Sequence, residues 1–331
     1  MKFCSKKSLM RLVAIFCSIV FVSMYINRQP ILTFGEKLLD RGIASCAEIR
    51  QEEISFLSGN LELRGTLYSP ACSFQKKAGI VLAHGATSFG RHLSMYSVMA
   101  PKLAKQGYVV LTFDFRGFGD SEDPHNLDIF SSLDFAHDIV SALTALAAVP
   151  MVDPTQLYIA GHSFGAGVAL ATGVRDARVK AIVSISPPRL AIERILSPDA
   201  PEPDFLSIRL SSSMELPQKI PRKYVEQYFK DYIPEKMLEY HVHPPILFVE
   251  GAREPQDELE SLQKIYEQVS PPRDHIIIPE ADHYFGTGFQ QPYREDIVYN
   301  ETVMNDLVDN IATWLQKLKH VAIPAYQIID I

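Results

Sequence analysis

The stretch Leu157–Gly173, LYIAGHSFGAGVALATG, constrains this chain more than any other. Leu157–Ala160 suit a buried strand, Gly161-His162-Ser163-Phe164-Gly165 follows, and a run of small residues then reads as a helix. A serine held on so tight a strand-to-helix turn needs a strained backbone, and the residues two places to either side are drawn together, so glycine is required at 161 and 165. The following helix aims its N-terminal amides, that of Phe164 among them, and the positive end of its dipole at the space above Ser163. The pattern G-x-S-x-G is short enough to arise by chance, and a turn with a capping serine is its plainer reading. The strand before it and the helix after it give it weight.

A chain of 331 residues, 47% of them hydrophobic, has room for one large globular domain or two small ones. It contains no GxGxxG, no P-loop, no paired-cysteine zinc spacing and no internal repeat, so neither a cofactor nor a metal is expected. Net charge is −7 even though Lys2, Lys6, Lys7 and Arg11 crowd the first residues, which leaves the remainder more acidic still and argues against nucleic acid as a partner.

Those four basic residues precede the apolar run Leu12–Ile26, LVAIFCSIVFVSMYI, with the arrangement of an export signal. No small-x-small cleavage site follows before Arg28-Gln29-Pro30, so residues 1–27 read as an uncleaved signal-anchor spanning the membrane, with a cleaved signal peptide or a core helix as alternatives. The basic end would stay in the cytoplasm and the rest of the chain would lie outside it, periplasmic or extracellular. Residues 28–51 read as a linker.

Glu52–Phe56 and Leu61–Tyr68 flank Ser58-Gly59-Asn60 as an antiparallel hairpin. Gly79–Ala83 is a strand buried on both faces, ending at His84-Gly85-Ala86-Thr87. A helix over Ser94–Gln106 and a strand over Tyr108–Phe113 lead to Asp114-Phe115-Arg116-Gly117-Phe118-Gly119-Asp120-Ser121. A long helix over Asp128–Val149, the Ser163 turn and a strand over Val179–Ile185 follow. The sheet resumes at Ile246–Glu250, with a helix over Asp257–Val269, a strand over His275–Ile278 and a last amphipathic helix over Asp296–Lys319. This alternation implies right-handed crossovers and a mostly parallel sheet. Ten of the 22 prolines fall within residues 187–245, where short helices are expected over Arg189–Leu196, Phe205–Met214 and Arg222–Lys230. Tyr224, Val225, Tyr228 and Phe229 form an apolar stripe there that suits either an acyl chain or internal packing.

A strand ending in His-Gly, then D-x-R-G-x-G-x-S, then G-x-S-x-G resembles the α/β-hydrolase superfamily, closest in style to its serine-aminopeptidase and monoacylglycerol-lipase-like branch. The likeness runs over about Glu52 to His320. It implies an α/β-hydrolase fold with an eight-stranded, mostly parallel sheet opened by the hairpin. The core would occupy residues 52–186 and 246–320, with a lid inserted at 187–245 and a tail over 321–331. Asp114 and Arg116 would then be a structural pair that ties down the loop before Gly117.

A serine hydroxyl needs a base in contact and a third group to orient that base, and this family supplies them in chain order Ser, Asp or Glu, His. Ser163 is the candidate nucleophile and His283, on the loop after the last strand, the candidate base. For the acid, Gly251-Ala252-Arg253-Glu254 carries glutamate where the family usually has aspartate; Glu254 is favoured and Asp257 is the runner-up. The amides of Ala86 and Phe164 match the family's oxyanion hole, and Thr87 adds a hydroxyl or caps the loop. The expected activity is hydrolysis of a carboxylic ester, from a lipid or a smaller molecule. Amide or thioester cleavage, and a binding protein that kept the fold without the chemistry, are the alternatives.

Of the four cysteines, Cys46 and Cys72 flank the hairpin. With Gly59-Asn60 as a two-residue turn, Phe56 faces Leu63, and Cys46 falls within one residue of facing Cys72. Export would let them form a disulfide; two unrelated thiols is the alternative.

Overall fold

The computed structural model describes residues 48–73, 75–124, 133–188, 205–208, 218–221, 232–288 and 292–318. The chain divides into one unit over Met1–Glu48 and a second over Ile49–Ile331; the fold below is that of the second. The first strand, β1 (Ile49–Ser58), turns through Gly59 and Asn60 into β2 (Leu61–Pro70), and Phe56 pairs with Leu63 as the turn requires. The strand begins inside the segment expected as linker, because the polar residues Arg50 and Gln51 continue the antiparallel ladder against Ser69 and Tyr68.

The parallel strands are β3 (Lys77–Ala83), β4 (Val109–Phe113), β5 (Val152–His162) and β6 (Val179–Ile185). A two-stranded sheet, β7 (Phe205–Ile208) with β8 (Gln218–Pro221), precedes β9 (Ile246–Gly251) and β10 (Arg273–Ile278). The main sheet has eight strands in the order β1-β2-β4-β3-β5-β6-β9-β10. β2 runs antiparallel to β1 and β4, and all other neighbours are parallel. The helices are α1 (Ser94–Lys105), α2 (Phe135–Ala147), α3 (Phe164–Gly173), α4 (Gln256–Gln268) and α5 (Glu301–Leu318).

Strand periodicity divides the core between the two faces of the sheet. Val81 and Ile159 pack with α2, α3 and α4 on one face through Leu143, Val168 and Ile265. Ile80 and Leu82 pack with α1 and α5 on the other through Met99, Leu307 and Ile311. Chain order reverses at β3, so the loops after β3 and β5 leave in opposite directions and open a crevice at the carboxyl ends of these strands, where open α/β sheets place their ligands.

Several expectations need correction. The expected helix over Phe205–Met214 begins instead as strand β7, whose backbone pairs with β8 from Phe205↔Pro221 to Ile208↔Gln218. Such a ladder satisfies backbone groups that a single helical turn leaves open. The expected helices over Arg189–Leu196 and Arg222–Lys230, with their apolar stripe, lie outside the described residues. So do the expected membrane segment Leu12–Ile26 and the tail 321–331. Among the described residues no helix is long and apolar enough to cross a membrane. Cys72 is disulfide-bonded, while Cys4, Cys17 and Cys46 lie outside the described residues.

Asp114 and Arg116 are both buried and structural, but each has another partner. Asp114 accepts from the backbone amides of Arg91 (2.6 Å) and Asp120 (2.9 Å) and pairs with the Arg91 guanidinium. Arg116 reaches Asp138 of α2 at 2.6 Å and the Ser58 hydroxyl at 3.1 Å, which ties the hairpin, the loop after β4 and α2 together. Asp138 is fully buried, so truncating it would leave a buried guanidinium without its counter-charge. Asp138→Ala is expected to lower unfolding stability by about 3–5 kcal/mol in urea titrations; a loss below about 1 kcal/mol would show that the pair does not hold these elements.

Candidate active site

The Ser163 turn is as tight as its glycines suggest. A Cβ on Gly161 would lie 2.1 Å from the Gly165 carbonyl oxygen, and one on Gly165 would lie 2.4 Å from the His84 carbonyl oxygen. Ser163 itself has φ 53° and ψ −124°, a left-handed conformation that costs a non-glycine residue about 1–3 kcal/mol and persists only where the surroundings enforce it. Its amide donates to Ile185 O of β6 at 2.8 Å, and Ala166 N donates back to Ser163 O at 2.8 Å as α3 begins.

His283 stands on the loop after β10, with Nε2 3.1 Å from Ser163 Oγ and Nδ1 2.7 Å from Glu254 Oε1. The Glu254 side chain is 7% exposed and that of His283 33%, so the acid is shielded while the base faces the crevice. The glutamate reaches because the two loops lie against each other: a Cβ on Gly251 would meet Ala281 O at 2.5 Å, and Arg253 N donates to Ala281 O at 2.8 Å. Asp257 lies in the exposed first turn of α4, where its Oδ1 accepts from Glu258 N at 3.1 Å. The structure therefore brings together Ser163, His283 and Glu254, and sets Asp257 on the wall of the same cleft.

The two expected oxyanion donors belong to residues next to the serine turn. Phe164 is the first residue of α3, and Ala86 lies on the loop after β3, whose Gly85 is packed so closely that a Cβ there would be 3.0 Å from Ser163 Cβ. Thr87 caps its loop, accepting from Phe89 N at 3.3 Å.

A buried polar chain ties these loops to one another. Gly85 N donates to the Tyr96 hydroxyl at 2.6 Å, Tyr96 meets His162 Nδ1 at 2.8 Å, and His162 Nε2 meets the His283 carbonyl at 2.7 Å. The carbonyl can only accept, so His162 carries its proton on Nε2, its Nδ1 accepts, and Tyr96 donates to it. Burial, and then the neighbouring His283, push His162 well below the ordinary imidazole value, which keeps the ring neutral as this chain requires. His84 is wired likewise: Phe115 N donates to its Nε2 at 3.0 Å, so Nδ1–H donates to Gly85 O at 2.7 Å, and burial holds this ring neutral too. Nothing in the sequence pattern marks Tyr96, which reads as one more apolar helix residue, and His162 occupies the variable place of the serine turn. Only the packing that brings Tyr96 of α1 to both Gly85 and His162 makes them a pair.

Comparison with known proteins places the chain in a family. A profile of the Alpha/beta hydrolase family matches residues 80–298, and the chain belongs to that family. It is 34% identical over 137 residues to the quorum-quenching protein AidA of Acinetobacter baumannii (strain MDR-ZJ06), covering 41% of this chain and 43% of that protein. It is 33% identical over 136 residues to the thiohydrolase apmlB of Arthrinium phaeospermum, covering 41% and 42%. The chain thus spans less than half the length of these curated relatives. Among solved structures, Est1E from Butyrivibrio proteoclasticus bound to ferulic acid superposes with a TM-score of 0.61 at 16% identity, over 81% of this chain and 100% of that one, a likeness of fold.

Removing the Tyr96 hydroxyl breaks the chain in two places without emptying space. Tyr96→Phe is expected to slow labelling of Ser163 by a fluorophosphonate by about ten- to hundredfold while circular dichroism stays unchanged. Labelling at the parent rate would show that the chain does not position the loops.

Proposed function

We propose that this chain is a serine hydrolase that cleaves carboxylic esters through an acyl-enzyme on Ser163. The observation that carries the reading is the continuous line Glu254 Oε1, His283 Nδ1, His283 Nε2, Ser163 Oγ, with separations of 2.7 and 3.1 Å. Ser163 Oγ attacks the ester carbonyl as His283 Nε2 takes its proton. The amides of Ala86 and Phe164 stabilise the oxyanion. His283 then passes the proton to the departing alcohol oxygen, and a water deprotonated by the same nitrogen releases the acid. Glu254 holds the Nδ1–H tautomer and offsets the charge of the imidazolium. No metal or cofactor is invoked.

A thioester substrate is the second reading, favoured by the thiohydrolase among the relatives; the same steps then expel a thiol. Residues 187–245 serve in either case as the lid over the substrate. We place the catalytic domain outside the cytoplasm, anchored by residues 1–27. The disulfide at Cys72 supports an oxidising compartment, with Cys46 its partner of choice. Protease accessibility of intact cells tests that placement.

Replacing Ser163 or His283 by alanine is expected to cut turnover of 4-nitrophenyl esters by about 10⁴-fold or more, and Glu254→Ala by less. Fluorophosphonate labelling should vanish with Ser163. Full activity in Glu254→Ala together with loss of activity in Asp257→Ala would move the acid to Asp257, and labelling that survives Ser163→Ala would refute the hydrolase.

A further inference from the structure

Beside the triad lies a cavity of about 180 Å³ that Ser163 and His283 share with Pro187, Pro188, Pro255 and Leu262. Of the other polar residues that line it, two that are buried, Ser186 and Glu250, have no part in the proposed triad. They are neighbours across the sheet: β6 and β9 pair Ser184 with Phe248 and Ile185 with Val249, and Ser186 N donates to Val249 O at 2.8 Å. Ser186 follows the last residue of β6, and Glu250 is the fifth residue of the adjacent β9, so both stand at the carboxyl ends of neighbouring strands.

Both are buried, Glu250 at 1% exposure and Ser186 at 3%. Glu250 Oε2 hydrogen-bonds His275 Nε2 from the adjacent strand β10. Glu250 Oε1 and Ser186 Oγ have no hydrogen-bond partner among the described residues. Leaving a buried polar atom unpaired costs about 1–3 kcal/mol. Two such atoms, both on residues that line the cavity holding the nucleophile, call for an explanation other than stability. Ser186 also has φ 46°, a second strained non-glycine residue at the carboxyl end of a strand next to Ser163.

The chemistry of the two atoms defines the ligand. Whether the proton between Glu250 Oε2 and His275 Nε2 rests on oxygen or nitrogen, Oε1 is left as an acceptor. The Ser186 hydroxyl can donate. An alcohol can donate to one oxygen while accepting from the other, and the proline and leucine walls suit a neutral group. Asp257 and Glu258, which also line the cavity, would suit a cation, so an amine is the competitor to exclude.

We infer that Glu250 Oε1 and Ser186 Oγ form a subsite for a hydroxyl carried by the acyl or alcohol part of the ester, and that this enzyme selects hydroxylated substrates. Burial pushes the Glu250 carboxyl up, against the pull of its bond to His275, as expected of a dry floor in which one hydrogen bond counts. The proposal takes its substrate class from the hydrolase reading, but its test does not depend on turnover.

The test measures binding to the Ser163→Ala protein of compounds matched except for one group: ethyl 3-hydroxybutanoate, ethyl 3-methylbutanoate and ethyl 3-aminobutanoate, and the 2-hydroxyethyl, propyl and 2-aminoethyl esters of butanoic acid. In at least one series the hydroxyl compound should bind about tenfold more tightly than the methyl compound. Ser186→Ala or Glu250→Met, added to Ser163→Ala, should bring that ratio near one. The ratio is internal to each protein, so a general loss of affinity cancels, and the loss of a single oxygen in Ser186→Ala keeps the test available if Glu250→Met does not fold. Equal affinities for hydroxyl and methyl compounds, a preference for the amine, or a hydroxyl preference that survives Ser186→Ala would each overturn the subsite. Absence of ester hydrolysis by the parent protein would count against the hydrolase reading and leave these binding outcomes to decide the subsite.

Discussion

The contact that the rest of the structure depends on is the approach of two backbones at the Ser163 turn. The carbonyl of Gly165 occupies the place where a side chain on Gly161 would begin, and the carbonyl of His84 blocks any side chain on Gly165. With those two positions bare, β5 can turn into α3 within a single residue, and the strain falls on Ser163 alone. Neighbouring elements then hold that residue in place: Ile185 accepts its amide, and Gly85 packs on its Cβ. The serine is presented because everything around it is fixed.

Fixing it needs polar as well as apolar contacts, since loops from separate strands, those after β3, β5 and β10 among them, meet at the crevice. Apolar packing sets the helices on each face of the sheet but does not specify the rotation of an imidazole. The line from Gly85 through Tyr96 and His162 to the His283 carbonyl does, because each member can play only one donor or acceptor role once His162 is neutral. Glu254 fixes the opposite side of the same ring. His283 is therefore held through its backbone from one direction and through Nδ1 from the other, with Nε2 left to face the serine.

Much of this was legible in the sequence wherever a short-range rule governs. Continuous apolar runs marked the buried strands, the Gly59-Asn60 turn set the β1–β2 register, and the glycines at 161 and 165 announced the turn itself. The resemblance to the α/β-hydrolases named Ser163, His283 and, ahead of Asp257, Glu254, and these three meet in the structure. What escaped were pairings over long separations. Asp114 and Arg116 look like partners in the sequence, yet burial gives each a counter-charge from another element, Arg91 and Asp138. Tyr96 looked apolar, and β7 looked helical, because a local pattern does not show what lies across the gap.

The central claim is that the aligned line from Glu254 to Ser163 makes that serine the acyl acceptor. Rapid-quench mass spectrometry during turnover of a 4-nitrophenyl ester tests it most directly. The account predicts a transient gain of one acyl mass on the peptide containing Ser163, formed with the burst of nitrophenol and decaying as acid is released. Product formed at full rate with no acylated peptide, or an acyl group located on another residue, would contradict it.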